Sequence, residues 1–104
     1  MTSYMLAQLQ LKYGPESLRK YNETMKKVRS FFEGEGVVLL HGAVTRVGPL
    51  YEVWNLWRIE DQGHIARAFG NAGSYPHLSS VNGELAEVVE SETVRFLESL
   101  PFSE

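Results

Sequence analysis

The sequence predicts an α+β domain in which four antiparallel strands carry helices on one face. Three observations lead to this class: a strongly strand-forming central segment, an amphipathic helical segment before it, and turn residues between the elements. The central segment, Gly48 to Asp61, reads GPLYEVWNLWRIED. Its nine residues from Tyr51 to Ile59 are rich in aromatic and branched side chains and lie between turn residues, which is typical of a strand.

The residues before this segment predict a strand followed by a helix. Apolar and mixed side chains alternate from Tyr4 to Lys12, as the two faces of a strand require. Gly14-Pro15 opens the helix, because proline at the first helical position loses no hydrogen bond. The apolar stripe of this helix has spacings of three and four: Leu18, Tyr21, Met25, Val28 and Phe32. Gly34 and Gly36 are predicted to end it.

The outer face of this helix carries charges at i,i+4 spacing. Glu16/Lys20 and Glu23/Lys27 are both in the order that favours ion pairing on a helix. We therefore predict that each forms a local ion pair.

A hairpin and a broken helical region complete the chain up to its last strand. Val37 to Val47 predicts a second strand, which a Gly-Pro turn joins to the central strand. Asp61 is a predicted N-cap of a short helix, since its carboxylate can accept from free backbone amides. Gly70 to Gly73, with the sequence GNAG, breaks that helix. A further helix is predicted to restart near Ser74 and Pro76.

Thr93 to Leu100 predicts the last strand, and Pro101 stops it. The order is thus strand, helix, strand, strand, helix broken in two, strand. This is the split βαβ pattern of a ferredoxin-like domain. The 104 residues allow one such domain, 1–104, because two separate cores do not fit in this length.

Composition excludes several classes of protein. The chain is 43% hydrophobic and 22% charged, close to the average of globular domains. Because it has no cysteine, disulfides, thiolate nucleophiles and cysteine-ligated metals are excluded. The net charge of −3 disfavours nucleic acid as a partner. The longest apolar run, Val37 to Leu40, is too short to cross a membrane, and the first residues do not resemble a signal peptide, so we expect a cytoplasmic protein.

Both faces of the central strand carry large apolar side chains that must be shielded from water. One face carries Val53, Asn55 and Trp57, and the other carries Trp54 and Leu56. The sequence does not decide which face lies under the helices. Either assignment leaves a tryptophan exposed, and a large exposed apolar patch usually marks an interaction surface. We therefore predict a homodimer whose two sheets pack face to face and close a barrel.

Three segments of the sequence resemble a known protein family. GPLYEVWNLWRIED is similar to the central strand of the NIPSNAP family, in which a Gly-Pro-Leu turn leads into a strand with a Leu-Trp pair, here Leu56-Trp57. The ending LESLPFSE, with Pro101-Phe102-Ser103, resembles that family's C-terminal Pro-Phe-Ser. The early LQLKYGPESLRKYNE has the same layout of strand, glycine and helix.

The resemblance implies membership of the dimeric α+β barrel superfamily. Its members use the space between two ferredoxin-like sheets for small apolar or aromatic ligands, and some carry oxygenase, cyclase, isomerase or haem chemistry. Many relatives place a histidine before the Leu-Trp pair, where this chain has Asn55. A proton-transfer role of that histidine therefore does not carry over to this chain.

Five residues are the candidate ligand contacts. His41, in the second predicted strand, is the candidate acid or base, because histidine titrates near neutral pH, and we expect it to project into the barrel cavity near Asn55. Gln8, Asn55 and Arg58 can orient a ligand in an apolar pocket, and Trp57 can stack on it. Each has a plainer interpretation, as a residue that packs in the core or faces water. No histidine spacing fits a metal site, and no cofactor is predicted. Haem binding is disfavoured, since only His41 or His64 is available as an axial ligand.

These observations favour a homodimer that binds a small apolar or aromatic molecule between its two sheets. They leave open whether it transforms this molecule as a cofactor-free isomerase, cyclase or oxygenase. The alternative is a non-catalytic structural or protein-interaction module, whose sheets pack together without a cavity.

Overall fold

The computed structural model describes residues 1–104 and has a four-stranded antiparallel sheet with helices on one face, which confirms the predicted α+β class. The elements are β1 (Ser3–Leu11), α1 (Pro15–Gly34), β2 (Val38–Val44), β3 (Glu52–Ile59), α2 (His64–Gly70), α3 (Val81–Val88) and β4 (Val89–Glu98). The strand order β2-β3-β1-β4 is that of a ferredoxin-like sheet. None of the helices has the length and apolar character needed to cross a membrane.

Several predicted element bounds are corrected by the structure. The second strand ends at Val44 rather than Val47, and the last strand begins at Val89 rather than Thr93. The early start of β4 follows from its pairing with β1, which continues to the pair Leu11 and Val89. The helix predicted to restart near Pro76 is a 3₁₀ helix over Pro76–Ser80, preceded by a 3₁₀ turn at Ala72–Ser74, and only the segment from Val81 is α-helical. Asp61 does not cap α2 directly: its carboxylate accepts from the Gly63 amide at 2.8 Å, just before the helix.

The structure decides which face of the central strand lies under the helices. Val53, Asn55 and Trp57 of β3 are buried there, together with the alternate residues of β1 that pair with them. The opposite face, which we call the open face, presents Trp54 and Leu56. These two side chains are only half-buried in the single chain, because no helix covers them.

The core consists of two apolar clusters that meet along α1. One centres on Trp57, which is 2% exposed and packs edge-on against Phe32 with ring centroids 4.9 Å apart. The other centres on Leu9, Leu11 and Tyr21. The apolar stripe predicted for α1 therefore does contact the sheet, and α1 forms the roof over both clusters.

A bulge in β2 changes the face on which His41 lies. Leu39 pairs with Trp57 under the helices, but the pairing shifts by one residue before His41, which pairs with Leu56 on the open face. Without the extra residue, strict alternation would place Leu39 and His41 on the same face. The expected position of His41 near Asn55 is therefore wrong, and Gly42 takes the place across from Asn55.

The predicted ion pairs of α1 are also corrected. Glu16 pairs with Arg19 at 2.8 Å and Glu23 with Lys26 at 3.2 Å, each three residues apart. The lysines that were expected to join them reach across to α3 instead, where Lys20 contacts Glu87 and Lys27 contacts Glu84. The prediction considered only carboxylates within α1. In the folded chain, the carboxylates of α3 are also within reach of these lysines.

Glu84 of α3 links that helix to α1. Its carboxylate accepts hydrogen bonds from Lys27 Nζ at 2.7 Å and from Thr24 Oγ1 at 2.7 Å. Thr24 is only 1% exposed, so its hydroxyl has no access to water as an alternative partner. The hydrogen bonds from Lys27, Thr24 and Ser80 lower the pKa of Glu84 from 4.5 to about 2.

We expect acid to destabilise the protein partly through Glu84. Because its pKa is lower in the folded chain, its contribution to stability is present above pH 4.5 and is lost as the pH falls toward about 2. Glu84→Gln should therefore be less stable than wild type at pH 7 and should lose less stability on going to pH 2, as measured by urea unfolding at both pH values. Glu90→Gln is the control, since Glu90 is exposed and forms no ion pair. Equal pH dependence of the wild type and Glu84→Gln would contradict this assignment.

Candidate functional site

Two cavities lie between the helices and the covered face of the sheet. The first, about 340 Å³, lies between α1 and the β2–β3 edge, and we call it the β2-side cavity. The second, about 320 Å³, lies between α1, α3 and the β1–β4 side, and we call it the β4-side cavity. Both are lined by the same four residues, Tyr21, Met25, Asn55 and Trp57. These residues therefore form the wall that the two cavities share.

The shared wall contains a buried polar pair. Asn55 Nδ2 donates a hydrogen bond of 2.6 Å to the hydroxyl oxygen of Tyr21, and the two residues are 7% and 4% exposed. Because the tyrosine hydroxyl accepts this bond, its own hydrogen is free to be donated to something else. The pair thus presents the tyrosine hydroxyl hydrogen as a donor in mostly apolar surroundings: 16 of the 19 residues lining the β4-side cavity are hydrophobic.

Backbone geometry explains how Asn55 comes to face the cavities. It lies between Val53 and Trp57 on β3, so alternation turns it toward the helices. Across from it, on β2, is Gly42. A Cβ atom there would lie 3.1 Å from Asn55 Oδ1, so the missing side chain leaves room for the amide.

Glu92 is the one acidic residue that lines the β4-side cavity. It lies on β4 opposite Leu9 of β1, at the solvent-exposed rim of the cavity. Burial of its carboxyl group by the surrounding apolar atoms raises its pKa. Burial also raises the pKa of Tyr21 to about 12; the hydrogen bond from Asn55 opposes this rise, and the negative charge of Glu92 adds to it. Glu92 and Tyr21 therefore line the same cavity and influence each other electrostatically.

The five predicted ligand contacts are divided between the two faces of the sheet. Asn55 and Trp57 line both cavities on the helix side. Gln8, His41 and Arg58 lie on the open face, where Gln8 Nε2 donates to Glu52 Oε2 at 2.9 Å and the other two are exposed. The sheet thus separates the two groups, and no single pocket of one chain holds all five.

Tyr21 and Glu92 were not recognised as site residues from the sequence. Tyr21 was predicted only as one member of the apolar stripe of α1, although it is the single residue of that stripe with a hydroxyl group. Glu92 precedes the segment predicted as the last strand, so it had no assigned face. The fold alone brings them together, because α1 packs over β1 and β4 pairs beside it.

The buried histidine has a structural role. His64 Nδ1 accepts from the Glu60 amide at 2.9 Å, and Nε2 lies 2.7 Å from the Glu35 carbonyl oxygen, to which it donates. The ring therefore ties the end of α1 to the beginning of α2. Tyr75 supports the same junction, because its hydroxyl donates to Glu35 Oε2 at 2.7 Å.

No family model matches the sequence, and no curated protein matches it either. Solved structures do match. A NIPSNAP family protein from Agrobacterium tumefaciens str. C58 superposes with a TM-score of 0.81 at 17% identity, covering 98% of this chain and 96% of that one. A dimeric protein of unknown function and ferredoxin-like fold from Bacteroides fragilis gives 0.67 at 12% identity, with 94% and 96% covered. SnoaB, a cofactor-independent oxygenase from Streptomyces nogalater, gives 0.65 at 13% identity, with 96% and 97% covered.

These structures share the fold of this chain over nearly its whole length. The resemblance to NIPSNAP family proteins is thus confirmed at the level of the fold. Identities of this size show the fold alone, and proteins of one fold carry out many different functions.

Proposed function

We propose that this protein binds a small apolar or aromatic molecule carrying one oxygen function in the cavities beside α1, and that it does so as a homodimer. The observation that carries the proposal is the Tyr21–Asn55 pair, which offers a free hydroxyl hydrogen inside an otherwise apolar cavity. Ligand sites are usually apolar with a few convergent polar groups, and this cavity has that character.

The size of the cavity limits the ligand. At about 320 Å³ the β4-side cavity is at the lower end of the range for small-molecule sites, which is about 300–1,000 Å³. A molecule of one or two fused rings suits this volume. Its oxygen would accept the hydrogen bond from Tyr21, while its rings contact Trp57 and Met25.

The proposed site differs from the one that the sequence suggested. The sequence placed the ligand between two sheets, whereas the polar pair of the single chain lies between the sheet and its own helices. For Gln8, His41 and Arg58 we propose a place at the dimer interface, where they would line any space left between the sheets. The fold of SnoaB supports a role in small-molecule chemistry, and the dimeric Bacteroides fragilis protein supports the pairing of two copies.

The open face supports the homodimer more directly. Leu6 and Leu56 pair at its centre and Trp54 lies beside them, so an apolar patch remains half-exposed in the single chain. Around the patch lie polar side chains such as Gln10 and Arg58. An apolar centre with a polar rim is the usual anatomy of a protein interface.

We expect 2-naphthol to bind more tightly than 2-methylnaphthalene, which has the same shape but no hydroxyl group. One neutral hydrogen bond adds about 0.5–1.5 kcal/mol, so the preference should be about two- to tenfold. Tyr21→Phe should reduce the preference, because it removes the hydroxyl donor and leaves the ring in place. Tyr21→Phe combined with Asn55→Leu should abolish it, because the amide hydrogen that Tyr21→Phe frees is then also removed. Fluorescence titration of both ligands measures the two dissociation constants.

The matched control is Tyr4→Phe, the same chemical change on the open face. It should leave the preference for 2-naphthol intact. Absence of saturable binding of either ligand to the wild type would refute the proposed function and favour the interaction module. Loss of the preference in Tyr4→Phe, with Tyr21→Phe unaffected, would move the site to the open face.

A further inference from the structure

Glu92 has no polar partner within the chain. It forms neither an ion pair nor a side-chain hydrogen bond, and burial is the sole cause of its raised pKa. No lysine, arginine or histidine lines the β4-side cavity, so no positive charge compensates the carboxylate there. Glu92 is solvent-exposed at the rim of this cavity, so its unpaired carboxylate can reach both a bound molecule and water.

Glu92 and the Tyr21–Asn55 pair lie on opposite sides of the β1 residues Ala7 and Leu9. Glu92 pairs with Leu9 and Asn55 pairs with Ala7, so both project from the same face on the two strands that flank β1. Strands are about 4.8 Å apart and rise about 3.4 Å per residue, so two strand spacings and the two-residue offset along β1 place the Cα atoms of Glu92 and Asn55 about 12 Å apart. Ala7 has a short side chain, and α1 holds the Tyr21 ring above it. Glu92, Tyr21 and Asn55 all line the β4-side cavity.

We propose that Glu92 is the general base, and Tyr21 the hydrogen-bond donor to the developing oxyanion, in a site that isomerises small cyclic ketones through an enolate. The inference rests on the proposed function, since it uses the same cavity and ligand class. Asn55 is a positioning residue: by donating to the tyrosine oxygen it strengthens the hydroxyl as a donor.

The chemistry is balanced without a cofactor. The Glu92 carboxylate takes a proton from the carbon next to the carbonyl group, and the electron pair of that C–H bond forms the C=C bond of the enolate. The carbonyl π electrons move to the oxygen, which accepts the hydrogen bond from Tyr21. Glu92 then returns the proton to the same carbon or, in a conjugated ketone, to another one. Nothing is oxidised or reduced, so molecular oxygen is not consumed.

The test is deuterium exchange at the benzylic C1 position of 2-tetralone in D₂O, followed by NMR. This ketone has two fused rings, and its enol has the shape of 2-naphthol. Wild type should accelerate the exchange over buffer, and Glu92→Gln should lose about 10²–10⁴-fold of that rate. Tyr21→Phe should lose about 10²–10³-fold, the usual cost of removing one oxyanion donor. Removing oxygen from the buffer should change nothing.

Two controls separate chemistry from folding. Glu98→Gln makes the same change on the same strand at a residue outside both cavities, and it should exchange at the wild-type rate. Glu92→Asp keeps a carboxylate, so it should recover part of the rate that Glu92→Gln loses, with circular dichroism reporting that each variant is folded.

The outcomes distinguish this inference from the function on which it rests. If 2-tetralone displaces 2-naphthol from the wild type but exchanges no faster than with Glu92→Gln, the general base is wrongly assigned and the binding function stands. If neither compound binds, both proposals are refuted. Exchange that depends on oxygen would overturn the isomerase assignment in favour of an oxygenase.

Discussion

Replacing Trp57 by alanine is expected to lower the free energy of unfolding by about 3–5 kcal/mol, a large part of the about 5–15 kcal/mol that stabilises a typical domain. Trp57 is 2% exposed, and its ring packs edge-on against Phe32 of α1. The indole fills the space between β3 and α1, so its loss would leave an apolar void beside the existing cavities. Urea unfolding followed by circular dichroism measures the loss.

Phe102→Ala is the control for this substitution. It also removes an aromatic ring, but Phe102 is 87% exposed, so the expected change is within about 0.5 kcal/mol, as for most surface substitutions. The Trp57→Ala variant should also lose binding of 2-naphthol, because Trp57 lines both cavities. Comparable losses of stability in the two variants would contradict the position assigned to Trp57 in the core.

Leu56→Asp is expected to convert the proposed homodimer to a monomer. Leu56 pairs with Leu6 at the centre of the open face, and interfaces of stable complexes bury about 800 Å² per partner. A carboxylate at the centre of such a surface would lose its hydration without gaining a partner, which costs several kcal/mol. By symmetry, each dimer would contain two such charges. Light scattering at micromolar concentration should give about twice the 11.8 kDa chain mass for wild type and the single-chain mass for Leu56→Asp.

Ala66→Asp introduces the same charge on an exposed position of α2, and this variant should remain a dimer. Because Leu56 points away from the helices, Leu56→Asp should keep the circular dichroism spectrum of the wild type. A wild type that scatters as a single chain would remove the proposed homodimer. A Leu56→Asp variant that still pairs would place the interface on another surface.

Local sequence patterns predicted most of the fold. The alternation along β1 and β3, the apolar stripe of α1 and the Gly-Pro turns are set by residues close together in the chain, and their order identified the ferredoxin-like topology. The end of the second strand and the start of the last were misplaced, because strand length depends on a partner that is distant in sequence. The start of β4 follows the length of β1, with which it pairs to Leu11.

The candidate site was predicted only in part. Asn55 and Trp57 were singled out from the sequence, and the structure places both beside the cavities. The predicted closeness of His41 to Asn55 was wrong, because a one-residue bulge places His41 on the opposite face of the sheet from Asn55, and the residues themselves carry no clear sign of that bulge. Glu92 was missed because it shares a cavity with Tyr21 only after α1, β1 and β4 have packed together.

The sequence by itself determined which segments alternate as strands do and where the chain turns. It also determined that both sides of β3 carry large apolar side chains that must be shielded from water. Only the tertiary structure decided which side the helices take, which lysines reach α3 and that a tyrosine, an amide and a carboxylate share one cavity. The physical reason is that the repeat of a strand or a helix is a local property of the backbone. The choice of face and partner depends instead on the free energy of contacts between segments that are far apart in the chain.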